Sequence, residues 1–140
     1  LRLVRERARV GIVSNNLLDE QQDKLRHCGL HALVDELVVS EEAGVSKPDP
    51  GIFEIALQRL GCPAEEAVMV GDSWAADVIG AISAGIRPIW FNPMGKRAPD
   101  PDASVMELRT LDPPDMAMAM IFADDVLEPC LSPNPRVTCE

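Results

Sequence analysis

Two carboxylates five residues apart, Asp72 and Asp77, stand just past a short apolar run in the segment Val70-Gly71-Asp72-Ser73-Trp74-Ala75-Ala76-Asp77. An acid at the carboxyl end of a buried parallel strand lies where open α/β sheets place their chemistry, and a hard cation such as Mg²⁺ takes oxygen ligands there. Taken alone, the segment reads equally well as a strand-to-helix turn in which Asp72 caps the next helix. Two earlier segments shift that balance: Val10-Gly11-Ile12-Val13-Ser14-Asn15-Asn16, an apolar run ending in a hydroxyl and two amides, and Ser46-Lys47-Pro48-Asp49-Pro50. Together the three supply the parts of a phosphate site. Ser14 and neighbouring backbone N–H groups can donate to phosphoryl oxygens, Lys47 can neutralise charge building on them, and Asp72 can hold a metal that bridges phosphate and protein.

The order of these motifs, the helix-length gaps between them and the Ser-Lys-Pro-Asp-Pro string resemble the haloacid dehalogenase-like hydrolase superfamily. In that resemblance Ser14-Asn15 is similar to the second motif, Lys47-Pro48 to the third, and Gly71-Asp72 with Asp77 to the fourth, over a span from about Val10 to Phe91. It implies a Rossmann-like three-layer α/β/α core around a parallel sheet, and a Mg²⁺-dependent phosphohydrolase of small phosphorylated metabolites working through an aspartyl-phosphate. It further implies that Ser14 and Asn15 hold the phosphoryl group, that Lys47 steadies it and the nucleophile, and that Asp72 binds Mg²⁺. Asp77 would help order the metal-water shell and the lysine. A haloacid dehalogenase proper also fits the Ser-Lys-Pro-Asp-Pro string, but expelling halide from carbon needs no cation on a phosphoryl group, so the acid at Asp72 favours the phosphatase.

The family's first motif, an Asp-x-Asp ending an opening strand and supplying the nucleophile, has no counterpart here. Residues 1–9 contain no aspartate and read as the tail of a helix. With leucine at position 1, the expectation is a fragment whose start, opening strand and helical cap lie upstream. It divides into the end of an upstream helix (1–9), a core-domain fragment incomplete at its N-terminus (10–123) and a disordered tail (124–140). In the family fold the missing strand lies between the Val10 strand and the strand ending at Val70, so its loss leaves unpaired edges unless another segment fills the slot. That loss also admits a non-catalytic remnant acting as a binding module. Asp100-Pro101-Asp102 spells the missing motif, but the stretch from Asn92 to Pro101 holds three prolines and a glycine, which is loop chemistry rather than a buried strand end.

The elements that must position these residues alternate between strand and helix signals, the pattern of β-α-β units and hence of an α/β class. After the Val10–Val13 strand, Asp19 and Gln22 suggest a capping box, with Leu18, Leu25 and Cys28 on one helical face ending near Gly29. A short strand follows at Glu36–Val39. Asp49 as N-cap with Pro50 at the first position predicts a helix, and Phe53, Ala56, Leu57 and Leu60 fall on one face before Gly61 stops it. Its start presents Lys47, from the preceding loop, toward the strand ends. Beyond Asp72, the spacing of Ala75, Val78, Ile79 and Ile82 predicts another helix closed by Gly85, with Asp77 in its first turn, and Pro88–Phe91 is a strand candidate. Trp74 is expected to pack, as are Met116, Met118 and Met120 in a helix after Pro113-Pro114.

Length and composition narrow the function classes. The 140 residues suit one domain, and the formal net charge of -10 argues against nucleic acid or an anionic membrane as partner. Cys28, Cys62, Cys130 and Cys139 lie far apart with no Cys-x-x-Cys pair, and His27 and His31 offer no zinc-ligand spacing with them, so all four are expected as free thiols in a reducing compartment. The longest apolar stretch, Met116 to Ala123, is too short to cross a bilayer. A cytoplasmic location is expected, and no sequence feature sets an oligomeric state.

Overall fold

The computed structural model describes residues 1–123 and the backbone of 136–139. The order of elements is α1 (Arg2–Arg5), β1 (Val10–Ser14), α2 (Leu18–His27), β2 (Glu36–Val39), α3 (Ser40–Ala43), α4 (Pro50–Leu60), β3 (Ala67–Gly71), a π-helical turn (Trp74–Val78), α5 (Ile79–Ser83), β4 (Arg87–Phe91), β5 (Met106–Leu108), α6 (Pro114–Ile121) and β6 (Arg136–Cys139). The strands form one parallel sheet in the order β2-β1-β6-β3-β4-β5. A parallel sheet needs cover on both faces, which is why β1 and β3 are buried at every residue.

Period-two alternation divides β3 between two cores. Met69 points to one face with Val13, Val38, Phe53 and Leu60, whereas Val68 and Val70 point to the other with Val10, Ile89 and Ile121. Helix α4 covers the first face. Its start follows the sequence signals: the Asp49 carboxylate accepts the Gly51 N–H at 2.8 Å, Pro50 occupies the first turn, and Gly61 ends the helix. Phe53, Ile52 and Leu60 are fully buried, each worth about 1.5–3 kcal/mol of apolar transfer. On the second face α1 and α6 supply Val4, Ala117 and Ile121.

Three local expectations are corrected. Helix α2 has no side-chain cap at its start; Glu41 accepts the Leu18 N–H at 2.8 Å instead, so a distant carboxylate replaces the expected capping box. None of its residues is buried, and Leu18, Leu25 and Cys28 do not form a core face. After Asp72 the chain makes a π turn, in which the Val78 N–H reaches back five residues to Ser73. The wider turn rotates the helix that follows. Ile79 and Ile82 therefore face solvent, while Val78 and Ala81 are buried.

The tail departs from expectation at 136–139. These residues form β6, paired in parallel with β1 on one side and β3 on the other, and so fill the slot expected to stand vacant. A strand flanked on both sides satisfies its neighbours' backbone groups, which removes the unpaired edges that loss of an opening strand would leave. The expectation of disorder at 124–135 and at 140 falls outside the described residues.

Candidate active site

Ser14 is the last residue of β1, Asp72 directly follows β3, and Lys47 lies in the loop between α3 and α4. A chain of hydrogen bonds ties these segments into one rim. The Asn15 carboxamide accepts the Lys47 N–H at 2.7 Å and donates to the Lys47 carbonyl at 2.9 Å, clamping one loop to the next. The Lys47 ammonium in turn donates to an Asp77 carboxylate oxygen at 2.7 Å, and the other Asp77 oxygen accepts the Ser73 N–H at 2.9 Å. Both ends of this ion pair are buried, at 2% and 0% side-chain exposure. Burying two charges is costly unless they are paired and hydrogen-bonded, and here they are.

Local structure explains why Asp77 arrives there. The extra residue of the π turn brings its carboxylate inward, and the Ser73 hydroxyl caps the turn by accepting the Ala76 N–H. Gly71 makes room: a Cβ at that position would stand 2.4 Å from the Asp77 Cβ. Only a residue without a side chain permits so close a pass. The indole N–H of Trp90 donates to the Asp72 carbonyl at 3.1 Å, and Trp74 packs edge-on against Trp90 with ring centroids 5.0 Å apart.

The Ser14 hydroxyl, almost wholly buried, accepts a hydrogen bond from the Gln21 side chain. That contact leaves its proton to be donated elsewhere. Asp72 is exposed, and its carboxylate makes no hydrogen bond or ion pair among the described residues. A carboxylate with both oxygens available suits Mg²⁺, which keeps several waters and takes one or two protein carboxylates together with substrate phosphate. No group of three or more His, Cys, Asp or Glu residues that could hold a metal occurs among the described residues, so Asp72 would act largely with waters and substrate.

Of the residues singled out in the sequence, Asn15, Lys47 and Asp77 are joined through this network, Ser14 adjoins it as the chain neighbour of Asn15, and Asp72 adjoins it through Ser73. The Asn15 side chain is spent on the Lys47 backbone. Asp100 and Asp102 lie in an exposed loop, where the Asp100 carboxylate accepts the Asp102 N–H at 3.1 Å. Sequence reasoning missed Gln21, seven residues beyond Ser14 in the first turn of α2, and Trp90, whose apolar strand setting hid its donor. Cys28 is an exposed free thiol and the buried Cys62 thiol donates to the Pro63 carbonyl at 3.3 Å; Cys130 and the side chain of Cys139 lie outside the described residues.

A parallel sheet flanked by helices, with a lysine–aspartate pair and an available carboxylate at its carboxyl rim, defines a Rossmann-like α/β core. The chain belongs to the haloacid dehalogenase-like hydrolases, whose family model matches residues 1–85. It is 44% identical over 84 residues to a glyceraldehyde 3-phosphate phosphatase of Methanothermobacter thermautotrophicus, covering 60% of this chain and 37% of that protein. It is 38% identical over 116 residues to the pyrimidine 5'-nucleotidase YjjG of Escherichia coli, covering 80% of this chain and 52% of the nucleotidase. Among solved structures, a HAD phosphatase from Thermococcus onnurineus superposes with a TM-score of 0.71 at 35% identity, over 79% of this chain and 50% of the other. A 2-haloacid dehalogenase from Pseudomonas syringae does so with a TM-score of 0.74 at 31% identity, over 85% and 50%. The chain thus spans about a third to a half of the length of these relatives.

Proposed function

We propose that this chain is the phosphate-handling part of a Mg²⁺-dependent phosphohydrolase acting on small phosphorylated metabolites in the cytoplasm, with residues 10–123 as its core. The observation that carries the reading is the clamp running from Asn15 through Lys47 to Asp77, which ties the segments bearing Ser14 and Asp72 into one rim. Similarity to two enzymes named for phosphoester substrates supports it. In this reading the Ser14 hydroxyl and nearby backbone N–H groups donate to the phosphoryl oxygens, and the Lys47 charge, held in place by Asp77, offsets the negative charge that builds on them. Mg²⁺, bound through Asp72, its waters and the substrate, would supply further neutralisation of the phosphoryl oxygens. The acid at Asp72, an oxygen ligand ready for a cation, favours this reading over dehalogenation, which needs no cation on a phosphoryl group.

The described residues bring no further aspartate to the rim as attacking group, so the 140-residue chain is expected to bind phosphate and not to turn over phosphoesters. Phosphorus-31 NMR of inorganic phosphate with the chain and Mg²⁺ should show binding that Ser14→Ala and Lys47→Met weaken, and a parallel assay with a generic aryl phosphate should show no release. Rapid Mg²⁺-dependent turnover would overturn the account of the nucleophile; absence of any phosphate binding would overturn the site.

A further inference from the structure

A cavity of about 740 Å³ opens beside the rim. That volume suits a small organic ligand. Gly71 and Asp72 form part of one wall, Ile12, Val70 and Phe91 contribute apolar floor, and Lys96 stands in the loop after β4. The chain carries a net charge of -10, yet Asp72 is the sole acid lining this cavity among the described residues, against the two cations Lys24 and Lys96. With Asp72 engaged by a cation, the local field would favour anions.

The loop that carries Lys96 is built rigidly. Asn92 is 2% exposed, and its side-chain oxygen accepts the Lys96 N–H at 2.9 Å. Its amide donates to the Lys96 carbonyl at 2.8 Å and to the Glu107 carboxylate at 2.7 Å. Gly95, at φ +60, takes the left-handed conformation that lets the turn close onto Asn92. A buried amide thus fixes both backbone groups of Lys96, while the Lys96 side chain is exposed and makes no hydrogen bond or ion pair among the described residues. Placing an uncommitted ammonium on an anchored backbone lowers the ordering cost of binding a partner.

We propose that this cavity takes the organic part of the phosphoester and that Lys96 selects substrates bearing a second anionic group there, such as a carboxylate; this rests on the phosphate site of the preceding section. Apolar walls accommodate the carbon skeleton, and Lys96 forms a charge-assisted hydrogen bond with the second anion. Lys24 adds to the field from α2.

Glycerol 3-phosphate and 3-phosphoglycerate share a skeleton and differ in one terminal hydroxymethyl or carboxylate, so they isolate this contact. Isothermal titration of the full chain with Mg²⁺ should show 3-phosphoglycerate binding roughly tenfold tighter. K96Q should bring the ratio to about one, and S14A should weaken both ligands alike. A ratio near one in the unaltered chain, or a ratio that survives K96Q, overturns the role of Lys96 while the S14A response still upholds the phosphate site. Failure of both ligands to bind overturns both proposals.

Discussion

Removing one end of the Lys47–Asp77 pair should be among the most damaging single changes in this chain. Two unit charges 2.7 Å apart attract by about 6 kcal/mol at an effective dielectric of 20, and desolvation of both ends offsets much of that. Lys47→Met, however, leaves the Asp77 carboxylate buried with only the Ser73 N–H as partner among the described residues. The expected loss is about 3–5 kcal/mol. A domain of this size has roughly 5–15 kcal/mol in all, so the variant should retain a shallow urea transition. Asp77→Asn keeps an oxygen for Ser73 but removes the charge facing Lys47, and the double variant should be less destabilised than the two losses added together, with a coupling of about 2 kcal/mol. The packed pair Trp74 and Trp90 provides a fluorescence signal beside the site. A Lys47→Met loss below about 1 kcal/mol, with coupling near zero, would mean that these groups do not hold each other in solution.

Gly71→Ala should destabilise by about 1–3 kcal/mol, because the added methyl must displace Asp77, and it should also weaken phosphate binding; chemical denaturation and NMR titration read the two effects separately. Burial alone pushes the Asp35 carboxyl up, but hydrogen bonds from Arg5 and the Val10 N–H, with the charges of Arg5 and Arg9, outweigh it and hold the group below its ordinary value. Its stabilising contribution is therefore fully present above the unfolded carboxyl pKa of about 3.9 and lost as pH falls through the lower folded value. Thermal melts should show Asp35→Asn less stable than the parent by a constant margin from neutral pH to about 5, with the margin closing in stronger acid. Thr138→Pro removes an N–H from a strand paired on both sides and should abolish a single cooperative melt followed by circular dichroism; an unchanged transition would show that β6 does not join the sheet.

Much of the fold was legible because its signals are local. Helix α4 carries its own start in Asp49-Pro50, its stop in Gly61 and its buried face in Phe53, Ala56, Leu57 and Leu60, and the unbroken apolar runs of β1 and β3 announce a sheet covered on both faces. What escaped depends on partners distant in the chain. The π turn after Ser73 is stabilised where Asp77 meets Lys47, thirty residues earlier, so helical spacing alone placed Ile79 and Ile82 on the wrong side. Asn15 reads as an amide free to meet a phosphate until its partner, the Lys47 backbone, is known. Residues 136–139, Arg-Val-Thr-Cys, alternate polar and apolar over only four positions just after Pro133 and Pro135, too short a signal to announce a strand, and they become one through two neighbours that sequence periodicity does not contain.

The place of β6 bears on how this chain folds. Val10 pairs with Val137, and Ala67 with Arg136, whereas β1 and β3 have no ladder with each other. In this chain the β2–β1 and β3–β4–β5 blocks therefore share no backbone ladder until residues 136–139 are in place, and before that they meet through side-chain packing, as in the core that Val13 and Met69 form beneath α4. When this chain refolds, closing the sheet is a long-range step with a high loop-entropy cost, and the facing edges of β1 and β3 stay open to wrong partners until it is made.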